Sequence, residues 1–264
     1  MRTVAMDQKR RMSDREVITS FVAFLAANGH RGLEIDGWPE DHKDGEIDAV
    51  ARDFAIEHTS IDTLAHQRRD SAWYEQVVGD LDKEVRPRAG KALYVTLRYD
   101  AVQVGQDWHS IREALKRWLQ AEGQLLANGR HEIRIDGVPF PVDVFQYDAP
   151  PRVAPTLFFG RYTPEDATLP QRLRELCDRK IGKLARWKDR GKAIVLLVEN
   201  DDIALMNHIK FAEAVRDAYP DERPAGVDQL WYVSTAIQPA LQFLDLSRIW
   251  ETELGVPIMW PPEP

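Results

Sequence analysis

The chain has 264 residues, 44% hydrophobic and 30% charged, with a formal net charge of −8 and mean hydropathy −0.44, values that suit a globular chain with a real core. Its longest near-continuous apolar run, Ala193 to Val198, is strand-length, so no membrane span is expected, and the acidic balance disfavours broad non-specific nucleic-acid binding while leaving room for one basic patch. The lone Cys177 excludes an internal disulfide or a multi-cysteine zinc site, and the N-terminus lacks an apolar signal core, so a reducing, cytoplasmic setting is expected.

The first element is a helix. Ser13 and Glu16 form a capping-box pattern, Val17, Ile18, Phe21, Val22 and Leu25 recur at helical spacing, and Asn28-Gly29 stops it. After a turn-rich stretch, residues 46–61 alternate as two strands. A polar helix follows over 63–80, then a strand over Lys91 to Tyr99 and a helix over 108–127. Asp136-Gly137 signals a hairpin, and Leu157-Phe158-Phe159 a strand. A helix from Pro170 to Arg190, a buried strand over Ala193 to Val198, a helix over 204–218 and strands over 229–234 and 243–246 complete the pattern. This order of strands and helices implies an α/β (α+β) domain built on a central mixed sheet.

The segment Glu46 to Thr59 carries the chemistry. A tight turn centred on Arg52-Asp53 sets Ala49 opposite Ile56, Asp48 opposite Glu57 and Glu46 opposite Thr59. Alternation then gives one face to Ile47, Ala49, Ala51, Phe54 and Ile56, and the other to Glu46, Asp48, Glu57 and Thr59. Opposed carboxylates inside a sheet repel unless one is protonated or a cation lies between them. Mg2+, or Mn2+, with hard oxygen ligands, resolves that repulsion and suits phosphodiester chemistry. The competing reading is a plain solvent-exposed sheet face.

A capped helix, an Asp on one strand, apolar–Glu–x–polar on the next (Ile56-Glu57-His58-Thr59), a further strand, and a helix leading to an apolar strand resemble the PD-(D/E)xK superfamily, the restriction-endonuclease-like fold. The resemblance implies one nuclease-like domain over 1–264, with a core of about 13–99 and 157–250 and an insertion of about 100–156. It implies a Mg2+-dependent nuclease acting on nucleic acid, DNA in the first instance, with Asp48 and Glu57 as metal ligands and the backbone carbonyl of His58 as a third. The alternative is a catalytically inactive member of the same fold that binds nucleic acid or a protein partner. The main departure is Thr59, which stands where the family has Lys.

A replacement cation is available in Arg179 to Lys192, which holds seven cations and one acid. Lys180 and Lys183 lie one turn apart on one helix face, with Trp187 nearby for stacking. A solvated helix face is the competing reading. Glu16 reads as a cap rather than a ligand, the His58 side chain as a core group, and Glu199 to Asp202 as local capping. Gly90-Lys91 lacks the rest of a phosphate loop, and Cys177 has no local partner marking it as a nucleophile. The apolar stretch Val256 to Pro262 has the character to dock on the body or on a second copy, which leaves a homodimer open.

Overall fold

A computed structural model describes residues 11–42, 45–150, 154–162, 166–202, 205–237 and 240–251, and the backbone of Ile258 and Met259. In chain order the elements are α1 (Asp14–Ala27), β1 (Ala49–Ala51), β2 (Phe54–Ser60), α2 (Gln67–Val78), α3 (Leu81–Glu84), β3 (Lys91–Arg98), α4 (Trp108–Gln120), β4 (Gly129–Ile133), β5 (Val142–Asp148), β6 (Thr156–Tyr162), α5 (Leu169–Lys188), β7 (Ala193–Asn200), α6 (His208–Ala218), β8 (Gln229–Ser234), β9 (Gln242–Asp245) and β10 (Ile258–Met259). Both sheets are mixed and flanked by helices. They belong to two compact units, one of residues 1–65 and 166–264, the other of 66–165. No helix among the described residues is long and apolar enough to cross a membrane.

The first unit has strand order β1-β2-β7-β8-β9-β10, in which β2, β7 and β8 run parallel and the outer strands antiparallel. One face packs on α1, whose Val17, Ile18, Phe21 and Leu25 meet Ala49, Phe54, Ile56, Val195 and Leu197. The other face packs on α5 and α6, where Leu173, Cys177, Phe211 and Val215 meet Leu196, Val198, Leu230 and Tyr232. Covered on both sides, β7 is apolar from Ala193 to Val198, as buried parallel strands are, before ending in Glu199 and Asn200.

The hairpin forms in the expected register: Ala49 faces Ile56, Val50 faces Ala55 and Ala51 faces Phe54. Its turn puts Arg52 at φ 46°, a costly conformation for a side-chain-bearing residue. Asp36 Oδ2 anchors the Arg52 amide at 2.5 Å, and the guanidinium reaches the Arg31 and Gly32 carbonyls. Two face assignments differ: Asp48 lines a pocket with Ser13, Asp14, Trp38 and Glu40 on the α1 side instead of sharing the α5 face with Glu57. Ile47 packs with Val50, Ala55, Leu184 and Ile194 on the α5 side, because β1 begins only at Ala49 and alternation does not extend back to residue 47.

The second unit has order β4-β5-β3-β6, with β3 and β6 parallel and the other pairs antiparallel. Its core joins one face of this sheet (Leu93, Val95, Leu97, Val142, Val144, Leu157) to α2 and α4 (Val77, Ile111, Leu115, Leu119). Lys91–Arg98 therefore belongs to this sheet and not to the first. Residues 66–165 form this compact unit, where the sequence sets an insertion of about 100–156. The helix expected over 108–127 ends at Gln120 and continues as a 3-10 turn over Glu122–Leu125, and the one expected from 204 begins at His208, capped by Asn207. The side chains of Val256 to Pro262 lie outside the described residues; the backbone of Ile258–Met259 pairs with β9.

Candidate metal centre

β2 outruns β1. The last β1 pair is Ala49 with Ile56, and beyond it the His58 amide donates to Asp48 Oδ2 at 2.6 Å. The Asp48 carboxylate thus replaces a strand partner at the sheet edge, where it feels groups on both faces. Its pKa is pushed up to about 7, first by burial, then by a hydrogen bond with Glu40 and the charge of Glu57; the His58 amide and Lys180 pull the other way.

Glu57 points to the α5 face and is fully buried. Lys180 Nζ donates to its Oε1 at 2.6 Å, and Lys183 Nζ lies 3.2 Å from the same oxygen. Its other oxygen, Oε2, is buried without a hydrogen-bond partner. One turn on, Arg186 and Trp187 reach the Glu46 carboxylate at 3.3 and 3.4 Å. Lys180 and Lys183 are therefore turned inward onto an acid, while Arg186 and Lys188, about half exposed, stay at the surface. Lys180 and Lys183 both reach Glu57 because i and i+3 positions share a helix face. Thr59 itself is buried on β2, on the same side as Glu57. Trp187 packs against Leu184 and Ile194 with Arg190 over its ring at 4.6 Å, an arrangement that explains it without a stacking role.

His58 points to the opposite face, toward α1. Parallel pairing sets β2 beside β7 with Ser60 level with Glu199. The His58 ring is buried, with Nε2 3.3 Å from Glu199 Oε2 and Nδ1 3.5 Å from Asp14 Oδ1 at the start of α1. Neither contact has hydrogen-bond geometry, and both ring nitrogens and Glu199 Oε2 are without hydrogen-bond partners. Burial pulls the His58 pKa down, but the two carboxylates outweigh it and hold the imidazole up at about 8. Burial likewise acts to raise Glu199, yet His58 and the Thr235 hydroxyl, which donates to Oε1 at 2.6 Å, hold it below the usual carboxylate range. His58 also lowers Asp14.

One ligand atom from each of Asp14, His58 and Glu199 lies within 4.8 Å of the others, and among the described residues this is the one such group of three able to hold a metal ion. Asp48 and Glu57 sit on the neighbouring edge and face of β2 and are not members of it. The cluster lies at the carboxyl ends of the parallel strands β2 and β7, where open α/β sheets place their ligands.

From sequence Glu199 reads as local capping, and Asp14 carries no signal of its own. The available signal was a lone acid ending an otherwise apolar strand, since an unpaired charge is almost never buried. Glu16 makes both bonds of the capping box and nothing more is needed to account for it. Cys177 is buried and pushed up to about 12 by that burial, so it carries no thiolate at neutral pH. No family model, curated protein or solved structure matches this chain.

Proposed function

We propose that residues 1–65 and 166–264 form a restriction-endonuclease-like nuclease that uses Mg2+ or Mn2+ to hydrolyse phosphodiester bonds of nucleic acid. One observation carries the reading: Glu57 keeps one carboxylate oxygen on Lys180 at 2.6 Å and leaves the other buried with no partner, beside an Asp48 whose ionisation Glu57 opposes. A hard divalent cation satisfies the orphan oxygen and removes the repulsion together, so the donors present fit such an ion.

Asp48 and Glu57 are the residues that would hold it. When bound, the ion supplies Lewis acidity and neutralises charge on the phosphate. The chain supplies the rest. Lys180 and Lys183 set two ammonium groups against the negative charge that develops as water adds to phosphorus and the ester oxygen departs. Their low-dielectric surroundings, close to a fully buried carboxylate, strengthen that effect. The attacking water loses its proton to solvent, and the departing oxygen takes one from solvent or from the nearer ammonium.

A second reading is favoured by a specific feature: the two lysines on Oε1 already neutralise the Glu57 charge without a metal, as in a non-catalytic member of the fold. Incubating the full chain with plasmid and single-stranded DNA, with Mg2+, Mn2+ or EDTA, separates the two. The nuclease reading requires metal-dependent nicking that Glu57→Ala and Asp48→Asn abolish; absence of nicking in either metal leaves the binding module.

A further inference from the structure

The second unit presents a sheet face that its own core does not use. In β3 and β5 buried residues largely alternate with more exposed ones, in β6 Leu157 is buried beside exposed Phe158, and the buried apolar set packs on α2 and α4. Pairing places Arg130 beside Phe145, Phe145 beside Tyr94, and Tyr94 beside Phe158. A guanidinium and three rings thus form one row across all four strands. Tyr94, Phe145, Phe158 and Tyr162 are exposed by 44%, 47%, 47% and 44%. No Leu, Ile, Val or Met takes an outward position on these strands.

Two details show how the rings lie. A Cβ at Gly160 would come within 2.7 Å of the Tyr94 hydroxyl, so the tyrosine lies across the bare glycine, close to the sheet. Tyr94 and Phe158 have ring centroids 6.3 Å apart at 42°, and Tyr147 lies 5.5 Å from Phe145 at 30°. Such spacing offers separate faces to successive flat groups.

We infer that this face binds single-stranded nucleic acid by stacking bases on Tyr94, Phe145 and Phe158. The rings select unpaired bases because a duplex keeps its bases stacked on each other. An aliphatic partner surface is disfavoured by a face of rings, guanidinium and polar side chains (Thr96, Glu132, Asp143) with no aliphatic one. Charge agrees: residues 66–165 hold 14 Lys plus Arg and 14 Asp plus Glu, so this unit is neutral and the −8 falls on the rest of the chain. A polyanion is therefore repelled least here, and Arg130 and Arg98, with side chains 76% and 55% exposed, are paired with Asp143 and Asp100 at the surface, acids that phosphates would have to displace. The inference is independent of the nuclease reading; with it, the substrate becomes a single strand.

The test uses the full chain in EDTA, so that binding is scored without cleavage. Fluorescence anisotropy follows labelled oligo-dT and oligo-U of roughly 15 nucleotides, distinguishing DNA from RNA, and a duplex of equal length. Micromolar binding of at least one single strand is expected, with the duplex at least about tenfold weaker. Tyr94→Ala and Phe145→Ala each cost on the order of tenfold, Tyr94→Phe costs little, and Gly160→Ala weakens binding by displacing the Tyr94 ring. With two guanidiniums on the face, log affinity falls against log salt with a slope of about −1.4. The inference is overturned if neither oligonucleotide binds, if the duplex binds equally, or if the alanine variants bind unchanged. Sedimentation of the same proteins closes the alternative: a dimer that Tyr94→Ala dissociates while oligonucleotide binding is unaltered makes the face a self-interface and overturns it too.

Discussion

Replacing Lys180 by Met keeps the length of the side chain and removes the ammonium that lies 2.6 Å from Glu57. Glu57 is fully buried and Lys180 only 19% exposed by side chain, so the pair lies well inside the range where breaking one partner is expensive, about 3–5 kcal/mol. Lys183 stays at 3.2 Å and covers part of the loss, which lowers the expected cost to about 2–3 kcal/mol. Urea unfolding at neutral pH reads this as a lower midpoint with an unchanged slope. Glu57→Gln combined with Lys180→Met should lose less than the two single changes added, because no charge is then stranded. Adding Mn2+ to the Lys180→Met protein should restore about 1.4 kcal/mol at ten times the dissociation constant, as the cation takes the ammonium's place. A destabilisation below about 0.5 kcal/mol, the range of an exposed ion pair, would refute the idea that these groups share a buried site.

Two further outcomes concern pH. The Asp48 carboxyl titrates near 7 in the folded chain, above its ordinary 3.8, so the folded state holds its proton more tightly and stability falls as pH rises from about 4 to 7. Asp48→Asn, which keeps an acceptor for the His58 amide, should raise the thermal midpoint at pH 8 and flatten that slope; an equal or lower midpoint contradicts the assignment. His58 moves the other charge: raised from 6.5 to about 8, it contributes roughly 2 kcal/mol that is fully present below pH 6.5 and lost as pH rises through 8. His58→Gln should therefore destabilise most at pH 6 and least at pH 9, and an NMR titration placing the imidazole below its ordinary 6.5 would contradict it.

The hairpin was legible in sequence because its information is local. The alternation of Ala49, Ala51, Phe54 and Ile56 and the two-residue turn fix the register without reference to the rest of the chain. Lys180 and Lys183 were legible for the same reason, their helical spacing. The Asp14–His58–Glu199 group was not, since His58 and Glu199 meet only through parallel pairing of strands separated by the whole second unit. No short-range pattern encodes such a crossover. Lys91–Arg98 was misplaced because β-branched and aromatic content marks a strand but not its sheet. The exposed alternation of Tyr94, Thr96 and Arg98, set against the wholly apolar Ala193–Val198, was the clue to a sheet covered on one side.

Divalent cation binding at the Asp48–Glu57 pair is the point on which the enzymatic reading stands, and isothermal titration of the metal-free chain with Mn2+ measures it directly. Saturable binding that Asp48→Asn and Glu57→Gln each weaken at least about tenfold, while Asp14→Asn leaves it largely intact, is the expected result. Binding lost with Asp14→Asn but indifferent to residues 48 and 57 would move the metal to the His58 cluster. No heat of binding at all would remove it.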